Sequence, residues 1–556
     1  MSSTANSMDS RSFHSLQSPH DELKQEEQAE LDLSCARRAL HNLDIMNEVF
    51  KHLSLELDSV DRNSDGAPSI ARRTLLDAAC SCRSFEEPAL SAMWRVMPSV
   101  FPLLKLLPSF IEVNDTYILE EVGVDDWTKF AKRARQVQVL LLRENHDAIS
   151  PLALIRLQQL HGQPILPALL KISILEDFDV SSFVPLLVLS PSVRSIELRD
   201  NSIIKEEFFR SFRASILAQA PLITHLNLNS TSHPLDPSFI LTLHSLCDLE
   251  LGMGQGNLSV TFMIGLGRLH SLRHLTLKMG LYIPPITKQG PAATLNDRFS
   301  EFASDMQKLK LFATLESFSL FGRPASTLIT LAYMYPLSLK SLNIQDAHDF
   351  SSIQIMRKNS TLISLGSIAR NLKTFTMKQS SSGGLPDLRS FRSLQLLEIL
   401  ELSGGSAKVT DDDMSTLATN MPHLKILVLP SLCGVDHPSI KFIWCPDTLP
   451  SKLECLKICV YKSVGSFAKL PPLPNIIIPK PQAHLFLRTL SISSYFGAQE
   501  YEKINQLAKL INYAFPKLNF VEAYGLNAKK ECWGRVELFR ATLREVCDNI
   551  EQEYKE

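Results

Sequence analysis

One hydrophobic pattern recurs along most of the chain beyond residue 135. An apolar residue is followed, three and five positions later, by two more apolar residues, and polar or glycine residues come next. The last two apolar positions alternate with a polar one, as in a short strand that buries one face. Fourteen such triplets begin at residues 137, 169, 193, 223, 246, 272, 315, 339, 372, 397, 424, 453, 487 and 518.

The spacing of the triplets says more than their number, because composition alone would give roughly twenty by chance in this length. Successive triplets begin 23 to 43 residues apart, and segments such as 206–219 and 411–420 between them have helical apolar spacing. Strand and helix in alternation at this period are typical of a leucine-rich repeat. The asparagine of that repeat's consensus fits only at Asn201, so we expect an irregular solenoid. An ordinary α/β domain is the alternative.

The N-terminal part has a different rhythm. Residues 1–35 are polar and predict a disordered tail. Residues 36–96 have apolar residues at helical spacing and predict a small helical domain; 97–134 predict a helical linker. The solenoid follows over 135–526. Residues 527–556 carry an amphipathic pattern, which predicts a capping helix rather than a coiled-coil arm. The fold class is therefore α/β: a helical domain, then an irregular solenoid (horseshoe), then a C-terminal capping helix.

Composition and charge narrow the class of protein. The 556 residues hold 57 Lys and Arg against 59 Asp and Glu, for a net charge of -2. This balance argues against a protein built to neutralise phosphates, so no nucleic-acid partner is expected. The sequence contains no apolar run long enough for a membrane span and no secretory signal, and its ten cysteines are too sparse for a disulfide framework. We expect a cytoplasmic or nuclear location and no membrane partner.

Two blocks in the helical domain resemble a known family. Residues 39–53 read ALHNLDIMNEVFKHL, residues 72–95 read RRTLLDAACSCRSFEEPALSAMWR, and PLLKLLP follows at 102–108. Together they resemble the F-box proteins that are numerous in mushroom-forming fungi (basidiomycetes). The sequence departs from that family at Leu43-Asp44, where a Pro-Glu pair is usual, and at Phe85, where a Trp is usual.

The resemblance implies a function. F-box helices bind the Skp-type adaptor of an SCF-type cullin–RING E3 ubiquitin ligase, and the rest of the chain binds the protein to be ubiquitinated. A short helical unit with excess apolar surface needs a partner in any case. Packing on the first repeat is the alternative role for Leu76 and Trp94. The residues expected to form or support the adaptor-binding face are Leu40, Ile45, Val49, Phe50, Leu53, Leu75, Leu76 and Trp94.

A protein substrate is expected on the concave face of the solenoid. Residues between the apolar positions of each triplet point outward, and most are polar in the first half, such as His225 and His274. Apolar residues take such positions in the later repeats, where solvent favours polar ones. The predicted substrate-binding residues are Ile399, Glu401, Ile426, Val428 and Lys457. Burial of the apolar three by other parts of the chain is the alternative.

We find no motif for catalysis or for a cofactor. Four cysteines between 433 and 459 lack the spacing of a zinc site, and 411–413 reads as acidic capping of a helix. Neither a metal nor a cofactor is expected, and we do not expect an enzyme. An interaction scaffold that recruits no ligase remains the alternative function. An enzyme on an α/β domain is the third function considered, with His225 and His274 as the pair to inspect.

Overall fold

The structure of the chain is a computed structural model. It describes residues 40, 42–58, 67–114, 116–142, 149–161, 164–175, 184–198, 206–230, 237–253, 260–279, 311–322, 337–346, 369–379, 387–404, 409–429, 449–459, 486–493, 508–509, 511–512, 514–515, 517–523 and 530–553. The predicted tail, Asn201 and two of the four cysteines noted above, Cys433 and Cys445, lie outside these residues. None of the described helices combines the length and the apolarity needed to cross a lipid bilayer.

The chain divides into two compact units. The described residues of the first unit lie within 1–142 and 147–170. Its helices are α1 (Leu43–Asp58), α2 (Ala67–Ser81), α3 (Arg83–Arg95), α4 (Phe101–Leu104), α5 (Val124–Ala134) and α6 (Pro151–His161). Its strands are β1 (Val96–Met97), β2 (Phe110–Val113), β3 (Thr116–Leu119) and β4 (Val139–Leu142). Strand β1 pairs parallel with β4, and β2 pairs antiparallel with β3.

The described strands of the second unit belong to one parallel sheet. They are β5 (Lys171–Ile174), β6 (Ser195–Leu198), β7 (His225–Ser230), β8 (Asp248–Met253), β9 (His274–Met279), β10 (Ser317–Phe321), β11 (Ser341–Asp346), β12 (Thr374–Gln379), β13 (Ile399–Ser403), β14 (Ile426–Val428), β15 (Cys455–Cys459), β16 (Thr489–Ser493) and β17 (Phe520–Ala523). They pair in sequence order from β5 to β17. The helices here are α7 (Val184–Leu187), α8 (Glu206–Gln219), α9 (Val260–Gly267), α10 (Asp411–Asn420) and α11 (Lys530–Glu553), with 3-10 turns at Pro237–Thr242 and Leu388–Phe391.

The register of this sheet aligns the triplets of successive repeats. Leu226 lies opposite Ile196, and Leu249 lies opposite Leu226. The same alignment continues to the pairing of Leu490 with Val521. Described side chains at the two inner positions of each strand are at most 4% exposed. The predicted strands of a leucine-rich-repeat-like array are therefore confirmed, and helices α8 and α10 cover the predicted segments 206–219 and 411–420.

Strands β7 to β16 begin with a shared backbone arrangement. The carbonyl of Arg194 accepts the N–H groups of both Thr224 and His225, and the carbonyl of Glu316 accepts those of Lys340 and Ser341. Ten successive carbonyls, from Arg194 to Glu454, accept such a pair. Each of these carbonyls thus accepts two hydrogen bonds where the ladder between two strands begins. We call the residue just before each strand its start position.

The stretch 97–134 differs from the helical linker that the sequence predicts. It contains the hairpin β2–β3 between α4 and α5. The physical reason is local: Asn114 has a positive φ of 50°, which suits a tight turn, and aromatic and β-branched residues flank it. Tyr117 stacks on Phe110 with ring centroids 5.2 Å apart, which holds the two strands together.

Helix α11 contacts the last strand through ionised side chains. Glu537 accepts the N–H of Val521 at 2.7 Å, and Arg540 donates to the carbonyl of Leu518 at 2.8 Å. Arg544 donates to the same carbonyl and to that of Asn519. These bonds satisfy backbone groups at a sheet edge that would otherwise need water. The capping role predicted for this helix stays a prediction, and these contacts are the ones it would use.

We expect truncation of a buried side chain to lower the free energy of unfolding far more than truncation of an outer side chain on the same strand. Phe318→Ala removes a fully buried ring and should lower the free energy of unfolding by about 3–5 kcal/mol. Ser319→Ala, its neighbour on the outer face, is the matched control and should change it by less than ~0.5 kcal/mol. Urea denaturation followed by circular dichroism measures both. Equal effects would contradict the assignment of faces.

We expect substitution of Arg540 to destabilise the fold more than substitution of Leu538, a nearby residue of α11. Its guanidinium is fully buried, and burial lowers its pKa while Glu537, 3.1 Å away, opposes that shift. Arg540→Met removes the hydrogen bond to the Leu518 carbonyl and one of the partners of Glu537, which keeps Arg544, and should cost about 1–3 kcal/mol. Leu538→Ala, at a side chain 69% exposed, is the control and should leave thermal unfolding nearly unchanged.

Candidate functional site: the helical cluster and the outer face of the sheet

The core of the first unit lies beneath helix α1. Met46 and Phe50 are buried one turn apart, and Leu53 packs beside them. Phe50 meets the ring of Phe85 edge-on at 5.8 Å. Helix α2 adds Leu75, which is fully buried. Phe50 and Leu75 are therefore interior residues that support the surface of this cluster and do not form it.

A second apolar stripe of α1 faces outward. Ile45 and Val49 lie one turn apart and are 45% and 49% exposed. Leu43 and, just before the helix, Leu40 are also exposed, as is Leu76 on α2. Trp94 is half-buried. Of the residues predicted to face an adaptor, the structure thus leaves Leu40, Ile45, Val49 and Leu76 accessible.

This concentration of exposed apolar side chains is unusual within the described residues. Six of their seventeen exposed large hydrophobic side chains lie within residues 40–76. We call these six the apolar face. Exposed apolar side chains concentrated in one stretch of the chain mark an interaction site more often than scattered ones do. The apolar face consists of Leu40, Leu43, Ile45, Val49, Ile70 and Leu76.

In the second unit, the outer positions alternate with the buried ones along each strand. Where described, side chains at the start position and at the first residue of each strand are exposed or half-buried. The sheet thus presents rows of side chains that cross from strand to strand about 4.8 Å apart. The alternation predicted from the triplets is confirmed at these positions.

The early repeats place a polar cluster on this face. Asp248 lies between His225 and His274 on adjacent strands, in contact with His225 and 3.6 Å from His274. The hydroxyl of Thr224 is 2.8 Å from the other ring nitrogen of His225. On the next row, Glu250 pairs with Lys278. The sequence identified the two histidines but missed Asp248 as the residue that joins them, although its place in the register could have revealed it.

This cluster does not assemble a metal site. No group of three or more His, Cys, Asp or Glu side chains able to hold a metal ion occurs among the described residues. Cys455 is half-buried beside Lys457, and burial raises the pKa of its thiol, which disfavours the thiolate that a metal or a nucleophile requires.

The later repeats carry the predicted substrate-binding residues. Ile399 and Ile426 are paired on adjacent strands and are half-buried. Val428 is 8% exposed, so the expectation that it forms part of an accessible apolar strip is wrong. Glu401 lies 3.8 Å from Lys378, and Lys457 lies 3.6 Å from Glu522. We call Ile399 and Ile426 the aliphatic pair.

Beside this pair, the start positions form a row of charges of both signs. Glu398 accepts hydrogen bonds from Lys373 at 2.8 Å and from Lys425 at 2.7 Å. These two lysines, first by hydrogen bonding and then by their charge, lower the pKa of Glu398 to about 2. Lys340 pairs in the same way with Glu316 at 2.7 Å and lowers its pKa. Sequence reasoning missed this row, because its members lie 24 to 27 residues apart.

We expect the contribution of Glu398 to stability to depend on pH. Its folded-state pKa of about 2 lies below the ordinary 4.5, so its contribution is full above pH 4.5 and is lost as the pH falls toward 2. The difference in Tm between the parent chain and Glu398→Gln should therefore be largest near neutral pH. It should shrink as the pH is lowered through that window, and also in high salt. A difference that grows on acidification would contradict the assignment.

Comparison with known proteins leaves the family of the chain unassigned. No protein-family model matches the sequence, and no curated protein matches it. Among solved structures, an internalin from Listeria monocytogenes is similar with a TM-score of 0.29 and 12% identity, over 64% of this chain and 84% of the internalin. A plant peptide hormone receptor, RGFR1 in complex with RGF2, is similar with a TM-score of 0.28 and 12% identity, over 70% of this chain and 56% of the receptor. The repeat assignment rests on the register of the chain itself and not on these likenesses.

Proposed function

We propose that the chain is the substrate-recognition subunit of an SCF-type cullin–RING E3 ubiquitin ligase. Helices α1 to α3 bind the Skp-type adaptor, and the outer face of the repeat sheet binds the protein substrate. The chain contributes no covalent step. It raises the effective concentration of substrate lysines near the ubiquitin-transfer machinery.

The observation that carries the adaptor half of this proposal is the apolar face. Helix α1 has a buried stripe at Met46 and Phe50 and a separate exposed stripe at Ile45 and Val49. A helix of an isolated folded unit needs only the first stripe, because polar residues serve better on the solvent side. The second stripe suits a partner that takes up apolar helical side chains in a groove. The F-box resemblance of residues 39–53 and 72–95 falls on these same helices.

The substrate half follows from the repeat architecture. Buried inner positions hold the sheet together, so the outer side chains that remain accessible can serve recognition. The aliphatic pair supplies apolar area, and Glu401 and Lys457 lie one row further along the strands. A scaffold that recruits no ligase would use the same surface, and adaptor binding distinguishes the two functions.

We expect charge on the exposed stripe to abolish adaptor binding. The double variant Ile45→Glu/Val49→Glu puts two carboxylates into a desolvated interface and should weaken binding to a purified Skp-type adaptor by at least about tenfold. Both side chains are half-exposed, so the fold should tolerate the change. Surface plasmon resonance with the full chain measures the affinity, and circular dichroism checks folding.

The matched control is Val124→Glu in the same unit. Val124 is 82% exposed and lies on α5, outside the apolar face. The Val124→Glu variant should bind the adaptor as tightly as the parent chain does. Failure of the parent chain to bind an adaptor that captures other F-box proteins would refute the ligase function and favour the scaffold.

A further inference from the structure

The edge of the sheet at which the strands begin is strongly basic. The six residues before each of the strands β6 to β17 include ten Lys and Arg and only three Glu, a net charge of +7 in a chain whose net charge is -2. We call these ten residues the basic edge. They are Arg194, Arg268, Arg273, Lys340, Arg370, Lys373, Lys425, Lys452, Arg488 and Lys517.

Two of the three glutamates of this edge are already engaged by its own lysines. Glu398 is held between Lys373 and Lys425, and Glu316 pairs with Lys340. Arg370 and Arg488, by contrast, are exposed and form no ion pair among the described residues. Positive charge therefore remains available along the edge after its internal pairs are formed. Such a charge excess favours an anionic partner.

The basic edge borders apolar side chains in the later repeats. Ile399 follows Glu398 directly, and Ile426 follows Lys425 directly. Both belong to the aliphatic pair and are half-buried, so each offers a limited apolar contact beside the charges. A ligand that matches this arrangement carries carboxylates and an aliphatic side chain close together.

The same positions argue for a protein segment over a nucleic acid. The start positions and the first strand residues from β10 to β16 hold three glutamates among four cations, whereas a groove for a single-stranded nucleic acid follows the phosphates with cations throughout. None of these positions holds an aromatic side chain on which a base could stack. Mixed signs in a fixed register are suited to a protein partner, because they select its orientation and its sequence.

We propose that the basic edge and the aliphatic pair bind a short acidic segment of a partner protein, with an aliphatic side chain among its carboxylates. The inference rests on the proposed function only in that the repeat unit binds a protein substrate. It names the chemical class of that substrate and requires no adaptor. Carboxylates of the segment pair with Arg370, Arg488 and their neighbours, and the aliphatic side chain packs against Ile399 and Ile426.

Fluorescence polarisation with the full chain tests this. The probe is a short fluorescein-labelled peptide of repeated Glu-Glu-Leu units; the comparison probes are a Lys-Lys-Leu peptide and a single-stranded oligothymidine of the same length. We expect the acidic peptide alone to bind, about tenfold more weakly at ~0.3 M than at ~0.05 M NaCl because the contacts are screened. Tighter binding of the oligothymidine would overturn the choice of a protein partner.

Two variants locate the binding site. Arg370→Glu/Arg488→Glu reverses two exposed charges of the basic edge and should weaken binding of the acidic peptide about tenfold. The control Arg210→Glu/Lys509→Glu makes the same change in charge at exposed residues outside the edge and should have less than about a twofold effect. Ile426→Ser should weaken binding of the acidic peptide as well. Equal effects of the two double variants would overturn the assigned site.

The peptide-binding test and the adaptor-binding test can succeed or fail independently of one another. Ile45→Glu/Val49→Glu should bind the peptide normally, and Arg370→Glu/Arg488→Glu should bind the adaptor normally. A parent chain that binds the peptide but no adaptor would refute the ligase function and leave the acidic substrate class standing. A parent chain that binds the adaptor but not the peptide would refute the acidic substrate class and leave the ligase function standing.

Discussion

The repeat unit depends on one constraint, the alignment of buried side chains across neighbouring parallel strands. A slip of one residue between β7 and β8 would turn Leu249 and Leu251 toward solvent and bring Asp248 and Glu250 into the core. Because burial fixes the register in every strand, the outer rows are fixed as a consequence. The charges and the aliphatic pair therefore occupy defined positions along the strands.

This constraint explains how much the sequence could predict. The triplet at Ile223, Leu226 and Leu228 predicts strand β7 because its apolar period indicates which face of the strand is buried. The hairpin β2–β3 was missed because its eight residues have no such period, and its turn depends on the conformation of Asn114. Val428 shows the same limit: its position in the pattern is an outer one, yet it is buried, and tertiary packing decides that outcome.

Helix α1 shows a different limit. Apolar residues at 45, 46, 49 and 50 form two adjacent stripes, and helical spacing alone cannot say which stripe faces the core. The structure resolves this by packing Phe50 against Phe85 and leaving Val49 outside. Phe50 therefore supports the shape of the surface, while Val49 forms part of it. Site residues listed together from sequence divide in this way only when neighbouring helices are known.

The basic edge combines stability with availability for binding. Lys373 and Lys425 hold start positions two strands apart, at a spacing of about 10 Å, and would repel one another if nothing lay between them. Glu398 removes that repulsion between Lys373 and Lys425, and its lowered pKa of about 2 shows how strongly the two lysines hold its charged form. The glutamates thus neutralise only the charges nearest to them. The remaining arginines keep their charge for a partner, so the sheet can carry a basic edge without the repulsion that an unbroken row of cations would impose.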